Sequence, residues 1–367
     1  MLSRGKLIGI GLVVLALVGF VFFRGPTPHI TIKPETITSV GSVDLTNTMI
    51  TSWLIVAIVI IAVFFATRRW ELVPHGVQNV VEAIVEAFYN LVVSVAGEKN
   101  GRRFFPVVAT IFFFVLASNW LSLLPIFNVI GKVEESEHGF VLEQQSVGPI
   151  DFNYVAPSSP SKLSGDAISA DDANAKAKYE KAKEDGKVVG ELLPFLRGPN
   201  TDLNTPLALA IISAVAVESW AISSLGFFTY GRKFFNFGGI FRGLFRFKFG
   251  MMFQGFIDAF VGILELISEL VRLVSFTFRL FGNMFAGEVV ILMFTFLTPL
   301  VVTVALYGLE LFVGVIQAFI FAMLTLVFGM MAVAHGEAHG AGEHGEEERK
   351  GEGVEGAIHE PNLLPIQ

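Results

Sequence analysis

The chain has 367 residues and no cysteine. Disulfides, thiolate nucleophiles and cysteine-ligated zinc or iron–sulfur centres are therefore excluded, whichever compartment the loops face. Charge is scarce as well. Asp, Glu, Lys and Arg make up 16% of the residues, against about 25% in a soluble domain, so long stretches have no solvated face. The net charge of −7 and the apolar composition both disfavour a nucleic-acid partner. No Walker A string occurs, so nucleotide chemistry would have to reside on other subunits, and no cofactor is expected. The ionisable pattern of the carboxyl-terminal third has no second copy, unlike the internal repeats of secondary transporters.

What the chain does contain is apolar: 53% hydrophobic residues, 37 of them Phe, and a mean hydropathy of +0.64. Runs long enough to cross a bilayer recur at Leu7 to Phe23, Met49 to Ala66, Phe104 to Phe127 and Pro206 to Tyr230. The first follows Arg4 and Lys6 but ends without a small-x-small cleavage site, and reads as a retained anchor over a cleaved signal. Between the second and third, Val77, Val80, Val81, Ile84, Val85, Phe88, Leu91 and Val92 recur at helical spacing among polar residues. That pattern predicts an amphipathic helix in the membrane interface.

Residues 128–204 differ in kind. Pro157 and Pro160 bracket two serines, and a charged Ala/Lys/Glu stretch from Ala170 to Asp185 follows, which predicts an aqueous insertion with one short solvated helix. Arg4, Lys6, Arg68, Arg69, Lys99, Arg102, Arg103, Arg232, Lys233, Arg242, Arg246 and Lys248 all fall on one side if the first four runs alternate. That side is expected to be cytoplasmic, with the insertion outside. The tail from His335 to His359 is rich in His, Glu and Gly, and reads as solvated and disordered rather than as a metal tract.

The stretch Phe256 to Phe296 is apolar except for Asp258, Glu265, Glu269, Arg272, Arg279 and Glu288. As one helix it would be about 60 Å long, twice the hydrocarbon thickness. It is either a hairpin turning at Gly282-Asn283 or a single steeply tilted helix. Pro299 to Val333, with Glu310 and Gln317, poses the same choice. Charges at mid-bilayer cost roughly 2.5 to 3.5 kcal/mol each, so they face protein or a watery cavity. Arg279 is the least replaceable, because a guanidinium keeps its charge where a lysine loses it. On a helix Arg272, Ser275, Arg279 and Asn283 share one stripe with Glu265 nearby, Glu288 points to the opposite face, and Glu310 and Gln317 share a face. From the residues alone Arg279 is either a structural partner of Glu265 or Glu269, or a functional cation.

The string Arg279-Leu-Phe-Gly-Asn-Met-Phe-Ala-Gly-Glu288 resembles the signature of subunit a of the F-type (FoF1) ATP synthase membrane sector in its bacterial form. Gln317-Ala-Phe-Ile-Phe-Ala-Met-Leu-Thr resembles a second motif of that family. Asn119-Trp-Leu-Ser-Leu-Leu-Pro125 resembles its first hairpin helix, and Pro199-Asn-Thr-Asp202-Leu-Asn204-Thr the entry to its second. The resemblance covers most of residues 45–333. It implies an all-α polytopic membrane protein whose two long, steeply tilted helices face a rotating c-ring. The chain would be a non-catalytic stator in the bacterial plasma (inner) membrane, coupling proton flow through two offset half-channels to ring rotation and ATP synthesis. Its partners would be the c-ring subunits, the peripheral stalk b subunits and, indirectly, the F1 sector.

By the same resemblance Arg279 matches the essential arginine, Asn283 and Gln317 the polar residues beside it, and Glu288 with Glu310 the proton-relaying pair of the outer half-channel. Asn119 and Asp202 look like lining residues near the outer mouth, and Glu265 like the acidic residue of the cytoplasmic half-channel. Glu218, mid-helix in the fourth run, is a further candidate for the outer channel, against a satisfied structural carboxyl. Some relatives carry a histidine at one member of the outer pair, where this chain has Glu at both. The expected organisation is an anchor (1–24), an outer loop (25–48), a transmembrane helix, interfacial helix and first hairpin helix (49–127), the outer insertion (128–204), a second hairpin helix with a basic loop (205–248), two long channel helices (249–333) and a tail (334–367).

Overall fold

The computed structural model describes residues 32–68, 76–128, 130–147, 150–154, 167–168, 175–234, 249–298 and 301–355, and residues 9, 11 and 13–15. Most of the predicted anchor, the basic loop at 235–248 and residues 356–367 lie outside the described residues. The chain divides into two compact units, one of residues 1–83, 110–209 and 275–321, the other of residues 84–109, 210–274 and 322–367.

Among the described residues five helices are long and apolar enough to cross a membrane, as expected of an all-α polytopic membrane protein. The first, α1 (Asn47–Thr67), begins where the Thr46 hydroxyl accepts from the Met49 backbone N–H at 3.4 Å, satisfying one of the orphan donors of its first turn. Only Asn47, Thr48, Thr51 and Ile55 are buried. The remaining apolar surface points away from the protein, as a lipid-facing helix requires.

The second, α2 (Val77–Ser122), is two arms joined at Gly97, whose φ of 74° and ψ of 165° are not helical. Tyr89 and Phe105 meet edge to face at 5.1 Å, whereas an unbroken helix would hold them about 24 Å apart. The chain therefore reverses at Gly97, a conformation with positive φ that glycine adopts without strain. The amphipathic stretch and the apolar run predicted as separate elements are these two arms.

The insertion returns to the membrane in α4 (Asn204–Leu225), which ends at Gly226 (φ +82°) before a short α5 (Phe227–Phe234). Next come α6 (Phe249–Leu297) and α7 (Val301–Glu355). With 49 helical residues, α6 is about 73 Å long, and the hairpin at Gly282-Asn283 is ruled out. One glycine costs a helix only about 1 kcal/mol, and the Leu, Phe and Met around it carry the helix through. α7 runs on to Glu355, into the stretch read from the sequence as the tail.

Outside these helices the all-α expectation needs one addition. A hairpin of β1 (Thr36–Val40) and β2 (Val43–Thr46) precedes α1. The insertion folds β3 (Gly131–Val147), β4 (Ile150–Tyr154), β5 (Ala167–Ile168) and β6 (Val188–Pro194) into a four-stranded sheet in which β3 pairs with β4, β5 and β6, all antiparallel. The predicted solvated helix is α3 (Ala175–Glu184), and its Ala182 packs with Val141 and Val189 into a small core flanked by Tyr179. In the other unit Phe104 stacks on Trp220 with ring centroids 4.1 Å apart, and Gly329 of α7 lies against the same indole.

Candidate proton-transfer site

In the first unit α6 and α7 meet at Gly287. A Cβ added there would run into the Glu310 carboxylate of α7, so the glycine makes room for a carboxyl against the α6 backbone. Glu310 is buried, at 7% exposure, and so is Gln317, at 1%; the face they share points at α6. One turn beyond Arg279, the Asn283 amide donates to Gln317 Oε1 at 2.7 Å. Arg279 lies with its guanidinium 5.9 Å from the centroid of the Phe276 ring, and among the described residues no carboxylate pairs with it. In the relay role that the resemblance implies for Glu310, Gly287→Ala is expected to lower proton flow through the assembled membrane sector at least about tenfold, since displacing a transfer group by about 1 Å is enough for that. Unaltered flow in vesicles, with normal amounts of inserted protein, would show that the close approach is dispensable.

Glu288 lies on the face of α6 opposite Arg279, as the helical spacing predicts. Its Oε1 accepts from the Asn128 side-chain amide at 2.6 Å, and its Oε2 is 3.9 Å from an Arg197 guanidinium nitrogen. Asn119 and Asp202 are both buried and both engaged. The Asn119 amide donates to the Gly314 carbonyl at 3.2 Å, and its oxygen accepts from Asn200 at 2.7 Å. Asp202 accepts from the Thr48 hydroxyl at 3.0 Å and from the Asn204 backbone and side-chain N–H groups at 3.3 and 3.2 Å. It ties the start of α1 to the start of α4. Among the buried polar atoms of this unit, Ser118 Oγ, Asn200 Oδ1, Glu288 Oε2, Thr298 Oγ1, Thr303 Oγ1, Glu310 Oε1 and Gln317 Nε2 have no hydrogen-bond partner among the described residues. Such groups are expensive in an apolar interior and are normally met by water.

The second unit holds a separate set. The Tyr230 hydroxyl donates to Glu218. Burial first, then that bond and the charges of Glu218, Glu269 and Glu265, push the Tyr230 hydroxyl above its ordinary titration range. Glu218 is thus a hydrogen-bonded carboxyl, with Tyr230 as its partner. Glu269 pairs with Arg272 at 2.8 Å, and that guanidinium lies 3.9 Å from the Phe328 ring centroid. Arg272 has taken the structural role, which leaves Glu269 unneeded as a counter-ion for Arg279.

Three participants escape sequence reasoning: Arg197, Asn128 and Tyr230. Each stands at or beyond the edge of an apolar run, where a polar residue attracts no notice. The one available signal is the position of Arg197 just before the Pro199 motif.

Residues 49–329 match the ATP synthase A chain family. Among curated proteins, the chain is 25% identical over 297 residues to ATP synthase subunit a of Moorella thermoacetica, covering 81% of this chain and 95% of that protein. It is 28% identical over 297 residues to the subunit a of Gloeobacter violaceus (80% and 86% covered) and 25% identical over 291 residues to that of Trichlorobacter lovleyi (79% and 89%).

Proposed function

The chain belongs to the ATP synthase A chain family, and from that premise we propose that it is the proton-translocating stator of a rotary synthase, with Arg279 separating two half-channels. The observation that carries this reading is the state of Arg279, a permanent cation inside the longest apolar helix pair, with no anionic partner among the described residues. A desolvated guanidinium needs an opposite charge. A ring of partner subunits that each bring a mid-membrane carboxyl supplies that charge in passing.

In this reading the fixed cation favours the ionised form of each arriving carboxyl, so its proton leaves, and the same cation bars protons from crossing directly. Glu288, Glu310 and the unpartnered polar atoms of the first unit form the outer path. Glu218, Glu265 and Tyr230 line the inner one. Each proton crossing 100 mV releases about 2.3 kcal/mol, which turns the ring. The positive-inside pattern supports an orientation with the basic loops on the cytoplasmic side of a bacterial plasma membrane. Peripheral stalk b subunits hold the protein against the torque, and the F1 sector uses the rotation.

The test is to tag the chain, extract it in mild detergent and identify what stays bound by mass spectrometry. A multicopy small hairpin protein, stalk subunits and a soluble catalytic hexamer are the expected companions. Recovery alone or as a homodimer, under conditions that preserve large complexes, would point instead to a self-contained transporter.

A further inference from the structure

The two ends of the outer insertion converge on one carboxylate. Asn128 opens the insertion and Arg197 follows β6, and their strands close into a neck. The Asn128 backbone N–H donates to the Leu196 carbonyl at 3.0 Å and the Phe195 N–H to the Ile130 carbonyl at 2.9 Å. These bonds continue the β3–β6 ladder past its Gly131–Pro194 pair. A Cβ at Gly131 would strike the Leu193 carbonyl, so the neck is closed backbone to backbone. Asn128 sits at φ +59°, in the left-handed region that Asn tolerates better than most residues.

From this neck two side chains reach Glu288, one to each oxygen: the Asn128 amide at 2.6 Å and the Arg197 guanidinium at 3.9 Å. Arg197 is itself anchored. It is 5% exposed, its other terminal nitrogen donates to the Lys33 carbonyl at 3.2 Å, and its backbone N–H donates to the Thr51 hydroxyl at 3.2 Å. Among the described residues, Arg197 from the neck and, beside Gly287, Glu310 from α7 are ionisable groups at this corner. A neck that served only to close a loop would not direct a buried cation and an amide at a carboxylate on another helix.

We propose that Arg197 and Asn128, the two ends of the outer insertion, are positioning residues that hold the Glu288 carboxyl in its proton-transferring orientation, so that the neck of the insertion is part of the proton path. This rests on the reading that Glu288 lies on that path.

The experiment measures potential-driven proton flow in vesicles carrying the whole assembled membrane sector stripped of its catalytic head, normalised to the inserted amount of this chain. Arg197→Gln, Arg197→Lys and Asn128→Gly are each compared with and without Glu288→Gln; the glycine keeps the left-handed backbone while removing the amide. Arg197→Gln is expected to slow flow about tenfold or more, as misplaced transfer groups do. Arg197→Lys should restore it to within about threefold, and Asn128→Gly should slow it by a smaller factor than Arg197→Gln. In the Glu288→Gln background the same changes should cost less than about twofold further, the signature of residues acting through one another.

Full flow in both Arg197→Gln and Asn128→Gly would overturn the proposal. So would equal losses with and without Glu288 and no rescue by Lys, which describe a merely structural role. If Arg197→Gln does not insert, Asn128→Gly and its double variant decide by the same criteria. Should Glu288→Gln alone leave flow unchanged, the placement of Glu288 on the path fails first. A slow Glu288→Gln beside normal neck variants sinks only the positioning role.

Discussion

Arg279→Ala is expected to abolish proton-driven ATP synthesis while the protein still inserts and assembles. Arg279 stands apart from the Arg272–Glu269 ion pair and from the Arg197–Glu288 contact. Its removal breaks no intrachain bridge among the described residues, so the structural cost is small. The functional cost is large, because no other cation remains between Arg272 and the end of α6. In the proposed mechanism an arriving carboxyl then keeps its proton, and the direct route between the two paths opens. Stripped vesicles of this variant should leak protons passively while synthesis is lost. Arg279→Lys should fail as well, since an ammonium in a desolvated site sheds its proton more readily than a guanidinium. Measured synthesis near the unaltered rate in Arg279→Ala, at normal assembly, would remove this residue from the mechanism.

The membrane part of this fold is legible in the sequence because its signals are local. Apolar runs mark α1, the second arm of α2 and α4, and the 3.6-residue period alone puts Glu288 opposite Arg279 and Glu310 on the face of Gln317. The length of α6 is legible only as a choice between a hairpin and one helix, since Gly282-Asn283 is a plausible turn and helix continuity depends on packing. The break at Gly97 falls between the amphipathic stretch and the apolar run that the sequence already separates, and what the sequence leaves open is that one glycine turns the chain back on itself.

The sheet of the insertion is illegible for a different cause. Gly131–Val147 carries charged and polar residues in place of a clean apolar alternation, and it becomes a strand by pairing with residues up to Pro194. Such pairing is tertiary context, which strand propensity does not carry. The same limit governs the site. Family motifs point to the residues on α6 and α7, but Arg197 and Asn128 meet their carboxylate only across long chain separations. The partner of Glu218, Tyr230, is likewise brought to it only by the turn at Gly226.

The outer pair yields the second large effect. Glu288→Gln and Glu310→Gln each keep shape and hydrogen-bonding capacity while removing the exchangeable proton, and each is expected to slow proton flow roughly a hundredfold, the lower end of what a positioned proton-transfer group contributes. Neither variant should leak, because Arg279 still blocks the direct route. Glu310 lies against Gly287, the immediate neighbour of Glu288, and each carboxylate has an oxygen without a hydrogen-bond partner among the described residues, so in the proposed path a proton handed along this file meets both. The double variant should then be about as slow as the slower single one, because two interruptions of one path do not multiply as independent sites do. Multiplying losses would place Glu288 and Glu310 on parallel routes, and an unchanged rate in either single variant would take that residue off the path. The chain carries Glu at both positions, so a Glu310→His variant offers the sharper version of the test. Flow in that variant should acquire a dependence on pH near neutrality, where an imidazole titrates and a carboxyl ordinarily does not, and its absence would mean that position 310 never holds the transferred proton.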